Sequence, residues 1–314
     1  MVHREATEVA IYAASTVASV VVVTPVHNGV AHTLRFLESA QQLTYPDVKV
    51  VIVDDGSTDG TAAAIASQFP MVTVIRGDGS LWWSKATNIG VEWARANGAD
   101  YVLTVNSDTE LDPAIITTLV ALAEDNPRAL VGSMVVTAED PDRVWFFGTV
   151  LDLASSDLRN VNGRIADFDA PREVETLTGM GMLIPVAAFD EVGPFDDKRL
   201  PQYLADSDFA LRARKIGYRL LVTPSAVVVC DIESSWIAAA RAAPRLSHPV
   251  SLLFARRSPE NVLYRWRFYR RHWPERYRRA VLHHVASVVK NDLLLDFVPR
   301  YAARWRRGGR QPAE

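Results

Sequence analysis

Two kinds of apolar spacing alternate along the first third of the chain. Ser19-Val-Val-Val-Val-Thr24 is an unbroken β-branched run, the pattern of a strand buried on both faces. Thr33 to Leu43 changes to helical spacing. Lys49 to Val53 is a second strand and stops at Asp54-Asp55-Gly56-Ser57. Thr58-Asp59-Gly60 then opens a helix to about Phe69, and Val72 to Ile75 is a third strand. Gly77-Asp78-Gly79-Ser80 is a loop, Trp83 to Asn97 a helix closed by Gly98, and Tyr101 to Val105 a fourth strand. This rhythm predicts a parallel, doubly wound α/β sheet with right-handed crossovers.

From about Leu130 to Val174 the pattern breaks into short strands and turns, suited to an antiparallel edge or excursion. Thr178 to Ile184 sets two glycines before an apolar run, and Phe189 to Phe195 is a short helix and turn. Asp206 to Gly217 is a helix and Arg219 to Val229 a strand region. Beyond Trp236 the spacing is helical, with Arg, Trp and Tyr interleaved, and Val281 to Val298 keeps an apolar helical stripe. Arg304 to Glu314 has the make-up of a disordered tip. The division expected is a domain over residues 15–235 and a helical extension over 236–314.

Composition adds three constraints. With 314 residues, 48% of them hydrophobic, the chain can bury a large core. The lone Cys230 excludes an internal disulfide and suits a reducing compartment. The Val9 to Val23 run is interrupted by serine and threonine and reads as neither a membrane span nor a signal peptide, so the expected location is cytoplasmic. Charge is uneven. Residues 236–314 carry 17 basic against 5 acidic side chains, leaving 17 against 32 in residues 1–235. Such a tail suits an anionic membrane surface, an acidic partner or its own acidic body.

Chemistry gathers at strand ends. Pro25-Val-His-Asn28, Asp54-Asp-Gly-Ser57 and Asn106-Ser-Asp108 fall on one edge of such a sheet, where α/β proteins bind ligands. Each turn alone is ordinary. Together they suit a nucleotide pocket, with Asp55 able to accept the N3–H of a pyrimidine. Asp108 is placed to hold a divalent cation against a diphosphate. No phosphate-binding Gly-Lys loop and no Gly-x-Gly-x-x-Gly follows the first strand, which argues against ATP hydrolysis and NAD. Trp82 and Trp83 could stack on a sugar or base, and Lys85 could neutralise phosphate. The plainer reading of two adjacent tryptophans is one in the core and one at a surface. Asp206 and Asp208 sit in the first turn of a helix, whose N-terminus favours ionised carboxylates. Asp206 could be a general base for an acceptor hydroxyl. Arg212, one turn on, suits a structural partner of Asp208 or Asp206.

Six motifs in order carry a family resemblance: Val23-Thr-Pro-Val-His-Asn28, Val53 to Asp59, Gly77-Asp-Gly-Ser-Leu-Trp-Trp83 with Ala86 to Gly90, Asn106-Ser-Asp-Thr109, Thr178-Gly-Met-Gly181 and Ala205-Asp-Ser-Asp-Phe209. The chain resembles family 2 glycosyltransferases of the GT-A fold, in a rhamnosyltransferase-like bacterial branch. The resemblance implies a GT-A mixed sheet over roughly residues 19–235. It implies inverting transfer from a UDP- or dTDP-linked sugar to the hydroxyl of a glycan, lipid-linked or small-molecule acceptor, with Mg²⁺ or Mn²⁺. It places Pro25, His27, Asn28, Asp55, Lys85, Asn88 and Asn106 on the donor, and Trp82, Trp83, Gly179 and Asp208 on the acceptor. Asp108 then ligates metal and Asp206 is the base.

Three positions depart from the family pattern. Asn106 and Ala205 replace acidic residues. A histidine common near the domain's end is absent, and Asp231 stands as its substitute metal ligand. Two other classes remain beside the transferase: a non-catalytic sugar-nucleotide or partner-binding protein, and a sugar-1-phosphate nucleotidyltransferase, which lacks its glycine-rich signature here. For the extension, the expected roles are peripheral contact with the inner membrane face, a homodimer interface, or a cover over the acceptor site. Nucleic acid is not an expected partner.

Overall fold

The structure is a computed structural model and describes residues 17–152, 157–232 and 252–290. The expected helix beyond residue 290, the tip, and residues 236–251 of the extension lie outside the described residues.

The first half runs β1 (Val20–Val26), α1 (Val30–Ala40), β2 (Val48–Asp54), α2 (Thr61–Gln68), β3 (Thr73–Arg76), α3 (Trp82–Ala96) and β4 (Tyr101–Thr104). β3, β2, β1 and β4 are neighbours in that order, all parallel. The β-branched run explains β1: Val20 to Val23 are all 0% exposed, with Val21 and Val23 in one core layer and Val20 and Val22 in the other. Burying each valine side chain contributes about 1.5–3 kcal/mol. Helix α3 lies close on this strand because Gly90 has no side chain; a Cβ there would come within 2.3 Å of Val23 Cγ1. Pro25, expected in a turn, is inside β1. A proline at the strand's end loses no essential ladder bond.

The second half converts the sheet to a mixed one. It contains β5 (Thr109–Leu111), α4 (Ile115–Glu124), β6 (Ala129–Thr137), β7 (Arg143–Phe146), β8 (Thr149–Asp152), β9 (Asp157–Asn160), β10 (Gly163–Arg164), β11 (Arg172–Glu173), β12 (Met182–Pro185), α5 (Val186–Val192), α6 (Ala205–Lys215) and β13 (Arg219–Cys230). β12 runs antiparallel between β4 and β6. The excursion expected from Leu130 starts later than the sequence suggested. β6 is a nine-residue strand buried throughout, parallel to β13, and only the chain from β7 onward forms short antiparallel pairs. β5 pairs with β13 where no strand was expected, and Asp112 holds the N–H of Ala114 before α4 starts at Ile115.

The described extension contains α7 (Val262–His272) and α8 (Tyr277–Val288). These helices pack on the body: Tyr264, Phe268, Tyr269 and Ala280 are buried in the same core layer as Phe195 and Phe209. Among the described residues, no helix is long and apolar enough to cross a membrane.

Candidate active site

Strand register brings the three polar turns together. Val26 stands opposite Asp54, and Val23 opposite Thr104, so β1, β2 and β4 release their chains at one edge. A cavity of about 250 Å³ opens there. Pro25, His27 and Asp55 line it together with Gly79, Trp82, Trp83, Gln202, Tyr203 and Arg257.

Asp55 is 5% exposed and fixes the loop before α3. Its Oδ1 accepts the Gly79 N–H at 2.8 Å and its Oδ2 accepts the Trp82 N–H at 3.0 Å. His27 Nδ1 donates to the Asp55 carbonyl at 2.6 Å, so that nitrogen carries a proton. Gly56 is required beneath them: its φ is +68° and a Cβ would lie 2.8 Å from the Gly79 nitrogen.

The two tryptophans divide their roles. Trp83 donates its indole N–H to Asn106 Oδ1 at 2.9 Å and meets Phe195 edge-on, with ring centres 5.3 Å apart. It packs so closely over Gly179 that a Cβ there would come within 2.4 Å of the ring. Trp82 begins α3 with φ +60°, and the Arg256 guanidinium lies 4.6 Å from its ring centre. Asn28 and Leu204 share this left-handed conformation, and both flank site turns. Three of the four such non-glycine residues therefore sit around this cleft, where backbone strain commonly accompanies function.

Asp206 lies in the first turn of α6, not among the lining residues, and is joined to the lining Trp83 through Gly179. Its Oδ2 accepts the Gly179 N–H at 2.8 Å and its Oδ1 the Ser207 N–H at 2.8 Å. Burial pushes its pKa above the usual carboxylate range, against the lowering pull of these N–H groups and the Thr178 hydroxyl. A base that is stronger than a free carboxylate results.

Asp108 is half-buried, and its Oδ1 is a buried oxygen without a hydrogen-bond partner. Burial raises its pKa; the nearby His32 opposes and Asp231 reinforces the rise. Asp231 sits 3.9 Å from His32 Nδ1 and donates its backbone N–H to the Asp108 carbonyl at 3.2 Å. Among the described residues, no group of three or more His, Cys, Asp and Glu side chains is arranged to hold a metal ion. The orphaned Asp108 oxygen still fits a cation of the kind that takes one or two carboxylates and completes its shell with phosphate and water. Tyr203 links this corner to the cavity. Burial pushes its hydroxyl up, the Asp108 charge adds to that, and Arg257 opposes it.

Six expected donor or acceptor contacts are placed off the cavity wall, and two of them, Asn106 and Gly179, meet Trp83 instead. Asn88 is spent on scaffold, its amide donating to the Phe195 carbonyl and accepting the Phe195 N–H. Asn28 Oδ1 accepts the Thr58 N–H. Lys85 is exposed on α3. Asp208 is 0% exposed, and its carboxylate takes Arg212 Nε, Arg271 and His272 Nε2 at 2.8–2.9 Å. The Arg212 pairing was expected; the other two partners come from α7. The wall residues Gln202, Tyr203 and Arg257 were not anticipated. The first two stand just before the Asp206 turn, but Arg257 had no local signal among the many arginines of the tail.

The family described as Glycosyl transferase family 2 matches residues 21–193. The chain is 29% identical over 226 residues to an N-acetylglucosaminyl-diphospho-decaprenol L-rhamnosyltransferase of Mycobacterium tuberculosis, covering 63% of this chain and 71% of that protein. It is 25% identical over 204 residues to the glycosyltransferase GlyG of Streptococcus pneumoniae, covering 63% of this chain and 66% of that one. Among solved structures it is similar to a Pyrobaculum calidifontis mannosyltransferase in complex with GDP-Man and Mn²⁺, with TM-score 0.55, 18% identity, and coverage of 94% of this chain and 81% of that one. A truncated S. aureus TarS gives TM-score 0.55 and 16% identity, covering 92% and 78%. At these identities the structures support the fold alone, a mixed α/β sheet of the GT-A type.

Proposed function

The chain belongs to glycosyl transferase family 2, and we propose that it transfers a sugar from a nucleoside diphosphate to an acceptor hydroxyl in one inverting displacement. Asp206 takes the proton of the acceptor hydroxyl. The oxygen forms a bond to the anomeric carbon as that carbon's bond to the diphosphate breaks, and the nucleoside diphosphate leaves. The observation that carries this reading is the joining of a base with a raised pKa to the cavity wall through Gly179 and Trp83. A base stronger than a free carboxylate is what proton abstraction from an alcohol favours.

The donor reading puts the nucleoside against Pro25, His27 and Asp55 and the diphosphate toward Asp108. Asp108 would hold Mg²⁺ or Mn²⁺, with Asp231 and His32 beside it. When bound, such an ion neutralises charge on the leaving diphosphate. The acceptor reading is a glycan or lipid-linked alcohol. It is supported by the likeness to an enzyme named for a decaprenol-linked substrate and by the outer face of α8. There the exposed Arg278 and a 70% exposed Leu282 lie one turn apart, a face suited to an anionic membrane surface.

The test is replacement of Asp206 by Asn with sugar transfer measured on an isoprenyl-diphosphate-linked sugar and a panel of UDP- and dTDP-sugars. Turnover should fall roughly a hundredfold or more. Turnover near that of the parent enzyme would remove Asp206 from the role.

A further inference from the structure

One wall of the cavity comes from outside the α/β domain. Arg257 is the single lysine or arginine among its lining residues. The turn that carries it is built rather than loose. Ser258 is 0% exposed and donates its N–H to the Ala255 carbonyl, while its hydroxyl accepts the Glu260 N–H. Asn261, 5% exposed, donates to the carbonyls of Phe254 and Ala255 at 3.1 Å, and its Oδ1 caps α7 by accepting the N–H groups of Leu263 and Tyr264. The turn is also pinned at the cavity, where Arg256 stacks on Trp82 and the Arg257 guanidinium stands 5.8 Å from the same ring. Behind it, α7 is locked to α6 by Arg271 and His272 on Asp208.

The result is a guanidinium held at the rim of a cavity, exposed, and paired with no carboxylate among the described residues. Asp108, with its own unpartnered oxygen, lies near Tyr203, which lines the cavity beside Arg257. A cation-seeking carboxylate and an unpaired guanidinium near the same tyrosine suit one ligand class, a diphosphate. Arginine's fork binds phosphate oxygens in bidentate fashion.

The geometry points to Arg257 as a diphosphate-binding residue that the C-terminal extension supplies to the active site, with Arg256 on Trp82 as the clasp that holds it there. The inference rests on the proposed transferase reading and deepens it. Two sources share this chemistry: the nucleotide's diphosphate and the diphosphate of a lipid-linked acceptor.

Calorimetric titration of the full chain separates them, using UDP, dTDP, uridine, thymidine and farnesyl diphosphate with Mn²⁺ present. Arg257→Ala should weaken diphosphate binding roughly tenfold to a hundredfold, the range of a lost charge-assisted pair. Binding of the nucleosides should change less than about twofold, and Arg257→Lys should recover part of the loss. Loss confined to UDP or dTDP assigns the nucleotide; loss confined to farnesyl diphosphate assigns the acceptor. Arg257 is exposed, so the variant should fold, and an unchanged melting temperature checks this. Unchanged diphosphate affinity in a folded Arg257→Ala protein overturns the inference alone. A parent protein that binds none of these ligands overturns the transferase reading, and the inference with it.

Discussion

Asp208→Asn keeps the shape of a fully buried carboxylate and deletes its charge. In the parent protein this group accepts from Arg212 Nε at 2.9 Å, from Arg271 at 2.8 and 2.9 Å, and from His272 Nε2 at 2.9 Å. Burial alone would push the carboxyl up, but the His272 hydrogen bond and the Arg212 charge hold it at about 2. Set against an ordinary 3.8, that difference contributes about 2.4 kcal/mol of stability at neutral pH. The folded value lies below the unfolded one, so the contribution is complete above about pH 4 and disappears as pH falls toward 2. His272 acts in the same direction. Burial lowers its pKa, so the unfolded chain takes up this proton first and stability also falls as pH drops through about 6.5. Substitution also leaves guanidinium groups without their counter-charge, and breaking a buried pair costs about 3–5 kcal/mol. The lower end agrees with the linkage figure, so about 3 kcal/mol is expected, or roughly 6 °C in melting temperature for a chain of this length. Thermal melts of parent and variant from pH 8 down to pH 3 measure it. The gap should be full at pH 7 and narrow below about pH 4. A gap under about 0.5 kcal/mol at pH 7, the range of ordinary surface changes, refutes the reasoning.

Other outcomes follow from the same geometry. Because burial raises the Asp206 pKa, the acid limb of the transfer rate should fall at a higher pH than a free carboxyl would give; a limb at or below the ordinary 3.8 contradicts that. Asp108 also has a raised pKa, so its ionised form weakens the folded protein as pH rises above its unfolded value. Asp108→Asn should therefore raise the melting temperature of metal-free protein at pH 7 and abolish any shift caused by Mn²⁺; a lower metal-free melting temperature counts against it. Gly179→Ala drives a methyl into the Trp83 ring and should cost about 1–3 kcal/mol in urea unfolding; an unchanged midpoint would show that the ring moves freely. Leu282→Asp should reduce flotation with anionic vesicles at low salt, and equal flotation of both proteins removes α8 from membrane contact.

Much of the α/β body was legible in the sequence because each element carries its own cause. The β-branched run of β1 can only be a buried strand, and turn residues after β1, β2 and β4 must emerge together once those strands are parallel neighbours. The order of motifs was enough to identify the family. Local pattern fails where the cause is remote. β6 looks like the start of an irregular stretch, and only β13, about ninety residues later, makes it a buried parallel strand. Asp208 reads as a polar first-turn residue until Arg271 and His272 arrive from the extension and seal it in the core. Asn88 reads as a donor contact until its amide meets both polar groups of Phe195.

The sequence by itself determined the strands, the helices and the carboxylates at one sheet edge, since periodicity and turn chemistry act over a few residues. Tertiary structure alone decided which polar side chains are consumed by the scaffold and which stay free for a ligand. It also decided that the described part of the basic extension packs on the body and lays Arg257 on the cavity rim. Burial and charge pairing between distant segments settle those outcomes, and neither is written in any local stretch of the chain.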